Sequence, residues 1–129
     1  MDRKFILTSL IYAIIGMALG IYMSATTDFT QSNTHRHIYM IGFVTTFFYG
    51  LCHKLWLNNN QGALAKVQFY AHQFGASLLL LSLYLMISGQ VDSGVVIPLM
   101  AISYMVVLTG MVLMAILFLR SNSTGFQIH

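Results

Sequence analysis

Four long apolar stretches, separated by short polar segments, dominate the pattern along the chain. They cover residues 5–25, 38–57, 67–88 and 95–119. Each reaches or approaches the length of about 20 residues that lets a helix cross a hydrocarbon core of about 30 Å. The pattern therefore predicts an all-α integral membrane protein. We expect a single four-helix bundle with spans over about 5–25, 36–57, 65–88 and 95–119.

The composition supports a membrane class. The 129 residues are 57% hydrophobic and 7% charged, whereas soluble domains carry about 25% charged residues. The first apolar stretch has full spanning length and no small-residue cleavage pattern after it, so we expect a retained helix and not a signal peptide. No segment outside the stretches is long enough to bury a core of its own. Any activity is therefore expected within the helices or at their ends.

The basic residues predict an orientation. If the chain crosses the membrane four times, five of the six lie at helix ends on the same side of the membrane: Arg3, Lys4, Lys54, Lys66 and Arg120. The opposite side carries Arg36, Asp28 and Asp92. Under the positive-inside rule both termini are cytoplasmic, in a multi-pass protein of a bacterial-type inner membrane. Because the basic residues are scattered singly, a nucleic-acid partner is not expected.

Segments 58–62 and 89–94 are short and rich in turn formers, which predicts antiparallel neighbouring helices. Helix 1 carries Gly16, Gly20 and Ser24, a stripe of small residues that lets another helix approach closely. That neighbour is helix 2, helix 4 or a second protomer. Since such a bundle encloses little volume, we expect a homo-oligomer, most simply a dimer, surrounded by membrane lipid.

Histidine is the only type of reactive side chain that occurs several times in the predicted helices. His35 and His37 lie at the outer end of helix 2, His53 lies near its inner end, and His72 lies within helix 3. Residues two apart on a helix differ by about 200°, so the outer pair faces opposite sides and cannot easily chelate one ion. At 1.5 Å of rise per residue, the depth of His72 matches that of His53 better than that of His37. A separate inner site from His53 and His72 is therefore a second possibility.

The residue types that are present argue against several other kinds of metal or catalytic site. The apolar stretches contain no carboxylate, which removes a Glu-rich di-iron site and the usual proton-relay partner. A closed zinc site lacks ligands, and Cys52 and His129 are expected to be inert. Imidazole in apolar surroundings is a common axial arrangement for haem iron. A histidine in a bundle also often only hydrogen-bonds a neighbouring helix, so a structural role remains the alternative.

The stretch HRHIYMIGFVTTFFYGLCHKLW, from His35 to Trp56, resembles the tenth transmembrane helix of haem-copper oxidase subunit I. In that family a His-x-His pair at the outer end precedes glycines, an aromatic run and an inner histidine near a tryptophan. VQFYAHQFGASLLLLSL resembles the eleventh helix, through Phe69, Tyr70 and Gly75. Small four-helix membrane proteins that resemble subunit I share this arrangement, and the resemblance covers helices 2 and 3.

The resemblance implies that His35 binds a high-spin haem and His37 a low-spin haem, on opposite faces of helix 2. The copper-site histidines, the cross-linking tyrosine motif and the other low-spin ligand belong to family helices without a counterpart here. A complete oxygen-reducing oxidase is therefore not expected. His72 matches no ligand of the family and is a candidate only because it is buried.

The resulting hypothesis is a haem b-binding membrane protein that acts in electron transfer or binds a small gas such as oxygen or nitric oxide. The candidate site residues are His37 and His72 for the iron, with His35, His53 and Arg36, the last beside the propionates. The second ligand to His37 is left open between the outer histidines of a second protomer, Met23 and His72. Copper is the less favoured cofactor. The alternatives are a cofactor-free scaffold or oxidase assembly partner, and a protein that handles copper or haem; whether any redox catalysis occurs is left open.

Overall fold

A computed structural model describes residues 1–57 and 62–121. Its four long helices are α1 (Asp2–Thr26), α2 (Ser32–Leu55), α3 (Ala63–Ser88) and α4 (Ser93–Ser121). All four are long and apolar enough to cross a membrane, and the described ranges contain no strand, so the prediction of an all-α protein with four candidate spans is confirmed. Most of the predicted turn at 58–62, and His129, lie outside the described residues.

The helices extend beyond the apolar stretches at most of their ends. α2 already begins in polar residues at Ser32, and α4 begins at Ser93, so that Pro98 lies in its second turn. Thr27, directly after α1, has φ 53°, and Gly89, directly after α3, has φ 72°. Glycine adopts this left-handed conformation without strain, so Gly89 stops α3 and lets the chain turn back toward α4.

The bundle consists of two helical hairpins. α1 packs mainly along α2, α3 packs most extensively along α4, and the hairpins meet chiefly where α2 contacts α3. At one end, all four helices contribute to a buried apolar cluster of Met1, Phe5, Tyr49, Leu57, Ala65, Phe69, Met114 and Leu117. The chain therefore passes along the bundle four times, in alternating directions.

The two ends of the bundle differ in charge. Arg3 and Lys4 lie in the first turn of α1, Lys54 in the last turn of α2, Lys66 in the first turn of α3 and Arg120 in the last turn of α4. These five residues share the end that holds the apolar cluster, which we call the basic end. The opposite end, here the distal end, carries the sixth basic residue at the start of α2.

The small-residue stripe of α1 faces α2. A Cβ atom added at Gly16 would lie 3.0 Å from the Tyr39 ring, and one added at Gly20 would lie 3.1 Å from the His35 ring. Of the three neighbours that the sequence leaves open, helix 2 of the same chain therefore occupies this face. The contact with His35 also brings α1 directly to one of the candidate site residues.

Side-chain hydrogen bonds join α1 to α3. The Tyr12 and Ser77 hydroxyl oxygens lie 2.9 Å apart, and Gln73 Nε2 donates to Thr8 Oγ1 over 3.1 Å. Hydrogen bonds between membrane helices contribute about 0.6 kcal/mol on average. These two bonds supplement the sparse backbone contact between the hairpins.

Large apolar side chains cover the outside of the bundle. Ile14 is 69% exposed, Leu119 is 72% exposed and Leu7 is 61% exposed. Soluble monomers rarely expose contiguous apolar surface of this kind. Together with the four long apolar helices, this surface indicates a multi-pass membrane protein.

We expect Gly42→Ala to destabilise the α1–α2 hairpin. A Cβ at Gly42 would lie 2.7 Å from two atoms of the Tyr12 ring, so the ring would have to move. Overpacking of this kind costs about 1–3 kcal/mol, which should lower the thermal unfolding midpoint in detergent, followed by circular dichroism. Ala101→Val, on an exposed position of α4, is the control and should leave the midpoint unchanged. Equal midpoints for the two variants would contradict the close approach.

Candidate functional site

His35 faces α1 at the distal end. Its ring lies against Gly20 and edge-on to Tyr39, with 5.0 Å between the ring centroids. It lines a groove of about 620 Å³ together with Met17, Gly20, Ile21, Ser24, Ala25 and Tyr39. That volume lies within the range of about 300–1,000 Å³ common for small-molecule sites. The Nδ1 atom of His35 is buried and has no hydrogen-bond partner.

His37 faces α4, on the other side of α2. Its Nδ1 atom lies 2.9 Å from the carbonyl oxygen of Asn33, which can only accept, so Nδ1 carries the proton. In the neutral ring Nε2 is then an acceptor, and the Tyr104 hydroxyl lies 3.4 Å away. His35 and His37 thus contact different helices, in agreement with the 200° argument, because both lie in the α-helical first part of α2.

The middle of α2, Ile38–Thr45, is π-helical. Two hydroxyls repeat this longer spacing: Thr45 Oγ1 donates to the Met40 carbonyl over 2.7 Å, and Thr46 Oγ1 lies 3.3 Å from the Ile41 carbonyl, each five residues back. Such segments are rare and often occur at functional sites. The apolar pattern does not predict this segment, since π and α turns bury similar residues.

His72 is fully buried where α2, α3 and α4 meet. Its Nε2 atom lies 2.8 Å from Thr46 Oγ1, and the Tyr49 ring lies edge-on at 4.9 Å between centroids. On the α4 side, a Cβ at Gly110 would already lie 3.4 Å from His72 backbone and Cβ atoms. His72 is therefore in contact with side chains or backbone of all three helices.

His53 lies closer to the basic end and is also fully buried. It stacks on Phe5 with 5.1 Å between ring centroids. Gln68 is close enough to interact with the imidazole, although neither ring nitrogen of His53 makes a well-formed hydrogen bond. The Gln68 amide instead donates from Nε2 to the Gly110 carbonyl over 3.4 Å.

Five buried residues of α2 and α3 with polar groups form an inner polar cluster, which consists of Thr46, Tyr49, His53, Gln68 and His72. Five buried atoms of this cluster lack a hydrogen-bond partner: the Tyr49 hydroxyl, both His53 ring nitrogens, Gln68 Oε1 and His72 Nδ1. Leaving a buried polar group unpaired costs about 1–3 kcal/mol, and native proteins rarely do so without a reason. The inner polar cluster is therefore a second candidate site, in addition to the outer histidines.

The described structure brings His53 and His72 into one cluster but keeps them apart from the outer pair. Within residues 1–57 and 62–121, no group of three or more histidine, cysteine or acidic residues could hold a metal ion. Sequence reasoning missed Thr46, Tyr49 and Gln68. The available signal was spacing, since Tyr49 precedes His53 and Gln68 precedes His72 by one helical turn, which puts each pair on one face.

The other candidate residues occupy peripheral positions. Arg36 is exposed at the distal end, and Met23 is buried in the last turns of α1, 5% exposed. Cys52 is a partly buried free thiol. None of these three side chains belongs to the inner polar cluster.

The geometry defines the class of protein: a four-helix bundle with membrane-spanning character and two sets of histidines, one outer and one inner. Comparison of the chain with models of protein families, with curated proteins and with solved structures gave no match. The resemblance to oxidase subunit I therefore rests on the residues of α2 and α3 alone.

We expect Thr46→Val to destabilise the bundle, because it removes the hydroxyl group that pairs with His72 Nε2. An unpaired buried nitrogen costs about 1–3 kcal/mol. The thermal unfolding midpoint in detergent should fall clearly for this variant and only slightly for Thr46→Ser, which keeps a hydroxyl. Thr109→Val, where an exposed hydroxyl bonds only its own helix, is the control. Indistinguishable midpoints for the Val and Ser variants at position 46 would refute the role of this hydrogen bond.

Proposed function

We propose that the chain is a haem b-binding integral membrane protein related to oxidase subunit I, which transfers electrons or binds a small gas. The observation that carries the proposal is the setting of His37. Its Nδ1–H is held by the Asn33 carbonyl at 2.9 Å, and Nε2 is directed away from its own backbone toward α4.

This setting suits an axial ligand. Metal-bound histidines almost always donate their second ring N–H to a carbonyl, carboxylate or water, which fixes the tautomer and the ring orientation. In His37 the Asn33 carbonyl has that role. The contact from Nε2 to the Tyr104 hydroxyl is long at 3.4 Å and exposed, so an iron atom replacing it would displace only a weak hydrogen bond.

His35 offers a second haem-binding position on the opposite face of α2. The groove that it lines is apolar apart from Ser24 and the tyrosine hydroxyl, and the His35 ring lies against Gly20 on its wall. Apolar walls suit a porphyrin, while the exposed Arg36 guanidinium at the same end can pair with propionate groups. Two imidazoles on two faces match the two haems that the resemblance implies.

The inner histidines fit a haem less well. His53 and His72 are fully buried in a closely packed interior, and Gly110 closes one side of His72. A porphyrin at His53 would require the Phe5 ring to move away from the imidazole, and a porphyrin at His72 would require the same of the Tyr49 ring. We therefore rank the outer pair above His72, which the sequence alone had placed beside His37 as an iron candidate.

A haem bound at His37 would supply an iron atom for one-electron transfer or for binding oxygen or nitric oxide. The protein holds the imidazole, shields the macrocycle from water and neutralises the propionates. Because α2 supplies one imidazole per face, we propose that a second protomer provides any further ligand in a homodimer. Met23, which is buried within α1, would have to turn outward to serve instead.

The proposed orientation follows from charge. Five of the six basic residues lie at the basic end, so the positive-inside rule places that end, and with it both chain termini, in the cytoplasm. The outer histidines then lie at the opposite face of an inner membrane of the bacterial type.

We expect the protein, purified from cells supplied with a haem precursor, to show a Soret band that shifts on reduction with dithionite. His37→Ala should reduce haem per protein at least by half, and His35→Ala should reduce it or change the band position. The measurement is the absorption spectrum together with the pyridine haemochrome content. His53→Ala is the matched control and should retain haem, although it should unfold at a lower temperature.

A folded protein with no Soret band, despite ample haem, would reject the haem proposal. Full haem content in both outer variants would reject the assignment of the ligands. Each variant is first compared with the unchanged protein by circular dichroism, which separates loss of haem from loss of fold.

One specific observation favours a cofactor-free membrane scaffold or oxidase assembly partner as the second candidate. His37 and His72 each hydrogen-bond a hydroxyl on another helix, Tyr104 at 3.4 Å and Thr46 at 2.8 Å. Interhelical pairing of this kind is a sufficient role for a membrane histidine. In that case His37→Ala should lower the unfolding temperature while no haem is present in either protein.

We expect a cysteine at Thr30 to react with a membrane-impermeant thiol reagent from outside intact spheroplasts, in a Cys52→Ser background. Thr30 is exposed in the loop between α1 and α2 at the distal end. Lys66→Cys, exposed at the basic end, is the matched control and should react only after permeabilisation. The reverse labelling pattern would overturn the proposed orientation.

A further inference from the structure

A second groove lies at the basic end between α1 and α2. Its volume is about 450 Å³. Three cationic side chains line it, namely Arg3 and Lys4 from the first turn of α1 and Lys54 from the last turn of α2. One carboxylate, Asp2, also lines the groove and accepts from the Arg3 backbone N–H over 2.7 Å. The lining thus has three positive charges against one negative charge.

The remaining wall of the groove is apolar. Ile6, Leu7 and Leu10 continue along α1 from the charged turn, and Gly50 and Leu51 line the α2 side. Leu7 is 61% exposed and Leu10 is 47% exposed. α1 also lies close to α2 at Gly50, where an added Cβ would lie 2.8 Å from Ile6 Cδ1. The groove therefore has a cationic mouth at the helix ends and an apolar wall that runs toward the middle of the bundle.

We propose that this groove binds one anionic phospholipid. The phosphate lies among Arg3, Lys4 and Lys54, and an acyl chain runs along Leu7 and Leu10. Charge complementarity at the mouth selects an anionic headgroup over a zwitterionic one, because a net positive lining repels a choline or ethanolamine ammonium. Basic grooves between membrane helices on the cytoplasmic side commonly bind such headgroups. This proposal is independent of the haem proposal, since none of the histidines proposed to bind haem lines the groove.

The other half of the basic end provides an internal comparison. A groove of about 500 Å³ there, between the ends of α3 and α4, has Arg120 as the single basic residue among the described residues that line it. Lys66 is exposed in the first turn of α3 and lines neither groove. Lys66 and Arg120 thus have the same charge at the same end of the bundle without the three-cation arrangement.

The test compares two double variants of the full chain. In detergent, added phosphatidylglycerol should raise the thermal unfolding midpoint of the unchanged protein, and phosphatidylcholine of the same chain length should not. The variant with Lys4→Gln and Lys54→Gln should bind phosphatidylglycerol roughly tenfold or more weakly, because each removed cation weakens attraction to anionic lipid. The variant with Lys66→Gln and Arg120→Gln should bind it as the unchanged protein does. Native mass spectrometry counts the lipid retained, and one per protomer is expected.

Three outcomes would overturn the proposal. Equal stabilisation by the two lipids would show that the groove does not distinguish an anionic headgroup from a zwitterionic one. Equal weakening in the two double variants would show that only the overall charge of the basic end matters. Stabilisation by inorganic phosphate alone, to the same extent as by phosphatidylglycerol, would identify a site for free anions in which the apolar wall has no part.

Discussion

The hydrogen bond between Thr46 and His72 fixes the relation between the two halves of the bundle. The α1–α2 and α3–α4 hairpins share few backbone contacts except along α2 and α3, and this 2.8 Å bond lies in that seam. It depends on the π-helical segment that ends at Thr45, whose wider turns precede the threonine. A one-residue slip of α2 would rotate the hydroxyl away from His72 by about 100°. The same slip would move the outer histidines away from Gly20 and Tyr104.

The small residues of α1 and the histidines of α2 depend on each other. Gly20 accommodates the His35 ring at contact distance, and Gly16 accommodates Tyr39. α1 lies against that side of α2, and His37, on the other side, contacts Tyr104 of α4. The opposite directions of the two imidazoles thus follow both from helical spacing and from packing. Any ligand shared between them would have to pass through α2, which is why two separate positions are the natural arrangement.

The sequence predicts the four helices because long apolar stretches with almost no charge have few alternatives in lipid. It also predicted a close helix neighbour for Gly16 and Gly20, but not which one, since small residues carry no information about their partner. The opposite faces of His35 and His37 followed from geometry that holds in any α-helix. The π-helical segment and the grouping of Tyr49 and Gln68 with the inner histidines did not follow. They depend on how α2 and α3 align, and single polar residues in an aromatic run look like packing.

Under the haem proposal, the inner polar cluster argues against choosing the ligand by burial alone. His72 is the more buried residue, yet burial is achieved by Thr46, Tyr49 and Gly110 lying against it, which leaves no side for a porphyrin. His37 is only half-buried, but its ring is already oriented by a backbone carbonyl. For a planar cofactor, access to the imidazole and its orientation matter more than its depth. An imidazole that is already oriented and accessible loses little conformational freedom on binding, whereas a closely packed imidazole must first lose its contacts. The unpaired atoms of His53, His72 and Tyr49 are therefore better matched to small polar partners such as water than to a macrocycle.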